Sequence, residues 1–292
     1  MKVLKGKVAA ITGAGSGIGQ QLAVLLAKEG CNLALSDVNE KGLAATVELV
    51  KSSGVKVTTQ KVDVSKLEQV SAWAKDAEKQ HGKVNIIINN AGVAMGSTVE
   101  GMSYTDLEWM MGINFWGVVY GTKEFLPLLK KAGDGHIVNI SSLFGLTSQP
   151  TQSAYNASKF AVRGFTESLR QELDIQKCGV SSTCVHPGGI RTNIANAARM
   201  SDSVSSLGMN AAKSIAEFNK MLRIPPEEAA RQIIEAIRHD QRRLLIGNDA
   251  KVLDLVQRIM PQGYQKLVGT ATQLQSRMIK KQEAKRLAKL AK

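Results

Sequence analysis

Short apolar runs alternate with helix-periodic stretches along most of this chain. The runs fall at residues 7–12 (KVAAIT), 32–36 (NLALS), 55–62, 85–89 (NIIIN), 136–141 (HIVNIS), 180–185 and 244–246 (LLI). The helical patterns between them cover 17–29, 40–52, 67–81, 105–131 and 153–176. A strand that is apolar on both faces needs cover on both faces, which predicts a parallel sheet between two helical layers. Right-handed crossovers then make it a doubly wound α/β fold of about seven strands. Ligands of such sheets bind beyond the carboxyl ends of the strands, so functional residues are expected directly after the apolar runs.

The length of 292 residues allows a full core without disulfide or metal staples. With 43% hydrophobic and 22% charged residues, wholesale disorder is excluded. No run approaches 18 uncharged apolar residues, so no membrane-spanning helix is expected. The N-terminus does not read as a secretory signal. Cys31, Cys178 and Cys184 form no CxxC pair, which suits a reducing, cytoplasmic setting and argues against structural zinc. The four histidines lack ligand spacing, and no metal is expected in catalysis. The net charge of +13 is unevenly spread: residues 251–292 hold ten Lys/Arg against two Asp/Glu. This divides the chain into a mildly basic catalytic body, 1–250, and a basic helical extension, 251–292. Within the body, residues 189–224 interrupt the strand–helix rhythm and carry Met200, Met209 and Met221, which reads as a partly helical substrate lid.

The first apolar run leads directly into Thr12-Gly13-Ala14-Gly15-Ser16-Gly17-Ile18-Gly19. The spacing TGxxxGxG is neither GxGxxG nor a P-loop. Its physics is similar: glycine permits positive φ, and a turn free of side chains lets a pyrophosphate approach the backbone at a helix N-terminus. Asp37 ends the second run, 18 residues beyond Gly19. An acid there can accept hydrogen bonds from adenosine ribose hydroxyls and would repel a 2′-phosphate. With no Lys or Arg in the glycine turn, and Val38-Asn39 after Asp37, NAD is preferred over NADP. Asp37 also suits a helix N-cap. Asp63, followed by Val64, suits either the adenine end of the cofactor or a cap on the next helix.

Tyr155 and Lys159 stand four apart within one predicted helix, so they share a face. A phenol is a poor base at neutral pH unless a neighbouring ammonium lowers its pKa. With that help the pair can take a proton from an alcohol or return one to a carbonyl. Ser142 follows the fifth run, and its hydroxyl can steady a substrate oxygen as charge develops. Asn90-Ala91-Gly92 closes the fourth run with small residues that suit close cofactor packing. Asn114 sits inside a helical pattern that asparagine does not favour, which implies buried partners such as a backbone carbonyl and a water leading to Lys159. Pro187-Gly188-Gly189-Ile190-Arg191-Thr192 follows the sixth run, where its backbone and Thr192 suit a nicotinamide carboxamide.

TGAGSGIG, NNAG, the Asn114 helix, Ser142, Tyr155-x-x-x-Lys159 and PGGIRT occur in the order that marks the classical short-chain dehydrogenase/reductase family, which residues 5–250 resemble. The resemblance implies a Rossmann-type domain, a nicotinamide cofactor and a tetrad of Asn114, Ser142, Tyr155 and Lys159. By that resemblance Tyr155 takes the alcohol proton while the carbinol hydride passes to the nicotinamide. Ser142 steadies the oxygen, Lys159 holds the ribose, and Asn114 supports a water chain. The resemblance also implies homodimers or homotetramers formed through the helices after the fourth and fifth strands. The extension beyond residue 250 departs from many family members.

Val93, Ala94, Met95, Leu143, Phe144 and Leu146, with the methionine-bearing lid, suit an apolar pocket for a lipophilic alcohol or ketone. An NADPH-dependent carbonyl or 3-oxoacyl reductase, and a non-catalytic nucleotide-binding or membrane-surface protein, are the alternative readings. In residues 274–292, Ala284, Leu287, Ala288 and Ala291 recur at helical spacing. That face suits a solvated helix, packing against a partner subunit, or a weak peripheral contact with an anionic membrane. No base-reading module accompanies it, so nucleic acid is not an expected partner. Trp73, Trp109 and Trp116 are expected as packing anchors.

Overall fold

The computed structural model describes the backbone of residues 1–290 and, except at 211, 212, 275 and 278–290, their side chains. Nine strands occur among these residues: β1 Val8–Thr12, β2 Asn32–Asp37, β3 Val57–Lys61, β4 Ile86–Asn89, β5 Met95–Gly96, β6 Gly135–Ile140, β7 Val180–Pro187, β8 Arg199–Met200 and β9 Arg243–Ile246. Seven form one parallel sheet in the order β3-β2-β1-β4-β6-β7-β9. The helices are α1 Gly17–Lys28, α2 Glu40–Val50, α3 Leu67–His81, α4 Tyr104–Met111, α5 Gly117–Ala132, α6 Ser153–Gln176, α7 Ala211–Met221, α8 Pro226–Arg238, α9 Asn248–Ile259 and α10 Gly263–Leu290. This is the expected Rossmann-type doubly wound sheet.

The two-residue period of a strand sorts the core into two layers. Ile86 and Ile88 of β4 join Leu22, Leu26, Ile233 and Ile237 on the face covered by α1 and α8. Ile87 points the other way, into a cluster with Trp73 of α3, Phe125 of α5 and Leu173 of α6. Trp73 and Phe125 meet edge to face, 4.8 Å between ring centres. β4 is buried at every residue, as a strand covered on both faces should be. The edge strand β3 (VTTQK) is polar and only partly covered, which suits its position.

Strand order reverses beside β1, which pairs with β2 on one side and β4 on the other. That reversal opens a crevice at the carboxyl ends of β1 and β4. α4 and α5 are joined by a π-helical turn, Gly112–Trp116, where the sequence suggests one unbroken helix. Residues 189–224 are partly helical: they contain β8, which pairs with β5, a 3₁₀ stretch Asp202–Leu207, and α7.

Candidate active site

The glycine turn leaves β1 with Gly13 at φ 65° and enters α1 with Gly17 at φ 54°, both in the region that favours glycine. Space requires glycine too. A Cβ on Gly19 would lie 2.2 Å from the Gly13 carbonyl oxygen, and one on Gly13 would lie 2.9 Å from the Ala91 Cα. Ser16 starts α1 in extended conformation and makes no side-chain cap, so side chains leave the first-turn N–H groups unclaimed. Thr12, which the sequence reading passed over, locks this corner. Its Oγ1 accepts from the backbone N–H of Asn90 (2.9 Å) and of Ala91 (3.0 Å). Asn90 Nδ2 donates back to the Thr12 carbonyl at 2.9 Å. Asn90 therefore pins β4 to the glycine turn, with Ala91 and Gly92 beyond it.

Asp37 does not cap α2; Asn39 does, accepting from Gly42 N. One Asp37 carboxylate oxygen instead accepts from Gly15 N at 2.8 Å and the other from Asn39 N at 2.9 Å, which places a negative charge against the turn. Asp63 accepts from the backbone N–H and hydroxyl of Ser65, a local turn before α3. Val64 beside it is buried against Gly117. At the far side, Gly188 N donates to Ile246 O and Gly189 N to Asp249 Oδ2. Those bonds steer Ile190 into the core and bring Thr192 over the glycine turn, its Cγ2 3.0 Å from where a Gly17 Cβ would stand. A cavity of about 330 Å³ lies between Ser16, Gly17, Gln20, Thr192 and Asn196. A dinucleotide's phosphates fit this cradle of turn backbone, uncapped helix start and covering loop.

The four proposed catalytic residues come from three elements that meet at the ends of β4 and β6. Asn114 lies in the π-helical turn and is fully buried. Its Oδ1 accepts from Val93 N (2.8 Å), and its Nδ2 donates to Val93 O (3.0 Å) and Ser158 Oγ (3.2 Å). The expected backbone partner is thus Val93. π-bulges inside helices recur at functional sites. No sequence rule marked this one; the misplaced asparagine was its trace.

Ser142 accepts from Phe144 N at 3.1 Å, and its side chain pulls the Tyr155 phenol's pKa downward. Lys159 is buried, with Nζ 3.0 Å from the Ile140 carbonyl and 5.7 Å from the Tyr155 ring centre. The electrostatics differ from the sequence expectation. Burial pushes the Tyr155 phenol above its usual pKa, offset in part by the Ser142 side chain. Burial also pulls Lys159 down to about 8. Desolvation, not a neighbouring ammonium, sets the direction of the phenol's shift.

Residues that sequence reading missed hold this group in place. Ser141 Oγ donates to the Lys159 carbonyl at 2.8 Å. Asn156 Nδ2 donates to the carbonyls of Phe144 (2.7 Å) and Thr147 (2.9 Å), fixing the loop after Ser142 onto α6. His186 Nδ1 lies 3.2 Å from the Ser142 carbonyl; since a carbonyl only accepts, the neutral ring carries its proton on Nδ1. A seryl or asparaginyl role of this kind has no spacing signature.

The surroundings of Tyr155 include apolar residues. Phe144 meets Tyr155 edge to face at 6.1 Å and Phe218 of α7 at 6.5 Å. Met95, Leu143 and Leu146 are buried, and Met200 packs against Gly96. Met221 faces outward at 59% exposure. Of the tryptophans, Trp73 is a core anchor and Trp109 lies beneath Arg199 at 3.6 Å, but Trp116 is half exposed and anchors nothing internal.

The basic extension is not a simple appendage. Tyr264 of α10 is buried, and its hydroxyl accepts from Ser148 N at 3.2 Å. Ser276 Oγ donates to the carbonyls of Leu207 (3.2 Å) and Gly208 (3.0 Å), between the 3₁₀ stretch and α7. The face formed by Ala284, Leu287, Ala288 and Ala291 lies outside the described residues. Among the described residues, no helix is long and apolar enough to cross a membrane.

Fold and site together define a dinucleotide-binding oxidoreductase. The model of the short chain dehydrogenase family matches residues 7–203, and the chain belongs to that family. SadH of Mycobacterium tuberculosis, named as a provisional oxidoreductase, is 47% identical over 270 residues, covering 92% of this chain and 96% of the relative. Human estradiol 17-beta-dehydrogenase 11 is 33% identical over 264 residues, covering 90% and 82%. A crystal structure of a short chain dehydrogenase/reductase from Burkholderia phymatum in complex with NAD superposes with a TM-score of 0.83. It is 31% identical and covers 90% of this chain and 96% of its own.

Proposed function

We propose that this oxidoreductase interconverts a lipophilic secondary alcohol and its ketone with NAD, using Tyr155 as the acid/base. The observation that carries the reading is that α6 brings Tyr155 and Lys159 together, Nζ 5.7 Å from the phenol ring centre, at the strand ends beside the glycine cradle, where Ser142 follows β6. When bound, the nicotinamide accepts a hydride from the carbinol carbon or returns one to the carbonyl. Tyr155 takes the hydroxyl proton in one direction and gives it back in the other. Ser142 donates to the substrate oxygen, and Asn114 keeps the Val93 backbone and α6 in register. Gly13, Ser16, Gly17, Ile18 and Gly19 would cradle the phosphates. Asp37 favours free ribose hydroxyls, hence NAD. Asp63 and Val64 would serve the adenine end, Asn90, Ala91 and Gly92 the middle, and Pro187, Gly188, Ile190 and Thr192 the nicotinamide end.

Residues 189–224 serve as the substrate lid, with Phe218 closing on Phe144. The lipophilic assignment draws on that aromatic wall and on the steroid named in the human relative. Subunits pair through the partly exposed aromatic face of Trp116, Tyr120 and Phe160.

A parallel fluorescence titration with NADH and NADPH tests the cofactor assignment without a substrate. Tighter NADH binding is expected; tighter NADPH binding would overturn the Asp37 argument and favour a carbonyl reductase. Turnover of a panel of lipophilic secondary alcohols then tests the chemistry. Tyr155→Phe should abolish turnover while keeping NADH affinity within about threefold, since it removes one hydroxyl that acts on the substrate proton. Substantial residual turnover would end the acid/base role.

A further inference from the structure

Apolar residues cover the outer faces of α9 and α10. Val252, Leu255 and Ile259 recur at helical spacing on α9, and they are 57%, 57% and 69% exposed. Met260 continues the line into the turn, and Leu267 and Leu274, seven apart on α10, are also more than half exposed. This is unlike the alanine face of the far C-terminus. Large aliphatic side chains in a row are what an interfacial helix buries. Exposed cations flank both rows: Lys251 and Arg258 on α9, Lys266 and Arg277 on α10. Asp254, one of the two acids in the 42-residue extension, is buried and held by Arg243 and Arg258, so it does not oppose an anionic surface.

We propose that α9 and the first half of α10 form a docking face for an anionic membrane surface. The charge selects the occupant. A second copy of this chain would bring its own surplus of cations against this one, whereas an anionic bilayer offers both complementary charge and an apolar interior. The ten Lys/Arg of residues 251–292 supply the electrostatic attraction, and the aliphatic row supplies the insertion. The face is continuous with the site already described: α9 packs against the turn Leu143–Gly145 that follows Ser142, and α10 reaches Ser148 through Tyr264. A lipophilic substrate would then be taken up beside the bilayer. That last step rests on the proposed substrate class; the docking itself does not.

Co-sedimentation with vesicles tests it, using the full chain and equimolar phosphatidylcholine and phosphatidylglycerol. The protein should bind these vesicles, more weakly at high salt and more weakly to pure phosphatidylcholine. The double substitution Leu255→Gln with Ile259→Gln should lower the partition constant by about tenfold or more, because both side chains leave the apolar phase. Both sites are exposed, so circular dichroism and NADH binding should match the unaltered protein. No vesicle binding, or equal binding by the double variant, would overturn the proposal; equal binding would mean that tail charge acts alone. So would a change of oligomeric state in the variant, by light scattering, without vesicle binding by the parent. NADH titration and alcohol turnover are read on the same preparations. Failure of those with intact vesicle binding would strike the proposed reaction and leave docking standing.

Discussion

Acid should unfold this protein through two buried histidines, and one of them holds the proposed catalytic serine. His186 is fully buried on β7 with Nδ1 against the Ser142 carbonyl, and its Nε2 has no hydrogen-bond partner among the described residues. Burial pulls its pKa from 6.5 to about 3; the Ser142 hydrogen bond opposes this, and the charges of Arg243 and Arg163 add to it. His136, between Thr183 and Ser181, is pulled to about 4, again chiefly by burial. Both folded values lie below the unfolded one, so the unfolded chain takes up protons first as pH falls. Stability from keeping these rings neutral is fully present above pH 6.5 and is lost between 6.5 and the folded values. Each pH unit between folded and unfolded values is worth about 1.4 kcal/mol, giving about 5 kcal/mol for His186 and about 3 for His136. Together they rival the whole stability of an ordinary domain. Urea unfolding at pH 7, 6, 5 and 4 measures this. His186→Asn, whose amide can still donate to the Ser142 carbonyl, should flatten the dependence by about 1.4 kcal/mol per pH unit between pH 6 and 4. An unchanged slope would show that His186 is solvated or already charged in the folded protein, and the tautomer argument would fall with it.

Three further perturbations probe the site's supports. Gly19→Ala places a Cβ 2.2 Å from the Gly13 carbonyl and 2.6 Å from Asn90 Nδ2, so NADH affinity should fall at least about tenfold, at a stability cost of about 1–3 kcal/mol; calorimetric binding matching the parent would refute the close-packed turn. Asn114→Ala leaves both polar groups of the Val93 backbone without their partner and should cost about 2–3 kcal/mol in urea unfolding, against a loss near zero if the π-helical turn holds Val93 unaided. Tyr264→Phe removes the bond to Ser148 N and should cost about 1 kcal/mol, with KM for a lipophilic alcohol rising more than kcat falls; an unchanged KM would detach α10 from the substrate side.

The alternation of strands with helices and the place of each motif were legible because two physical signals are local. Apolar runs such as Ile86–Asn89 must be covered on both faces, and Gly13 and Gly17 stand where a chain turns with positive φ. The proposed tetrad could be put forward from sequence because Tyr155 and Lys159 lie within one helical turn and Ser142 follows a strand. What was not legible depends on distance in sequence. Thr12 reaches Asn90 and Ala91, Asp249 reaches Gly189, and Tyr264 reaches Ser148, each across a gap that no periodicity spans. Trp116 was misread for a related reason: a large aromatic at a helical position looks the same whether it faces the core or leaves it.

The same limit explains the phenol's acidity. Four-residue spacing says that Tyr155 and Lys159 share a face, and it is silent on how much water they lose. Here Lys159 donates to the Ile140 carbonyl at 3.0 Å, and burial raises the phenol's pKa while lowering the amine's. Two groups that normally lie close together in proton affinity are thereby moved apart: the phenol holds its proton more tightly and the amine less so. With the phenol above its usual value and the amine near 8, the resting protein loses the amine proton before the phenol's. For Tyr155 to act as a base, positive charge brought by an occupant, rather than the resting protein, must lower the phenol's pKa. Ser142 fits this arrangement, because its side chain is the one protein group here that already pulls the phenol downward.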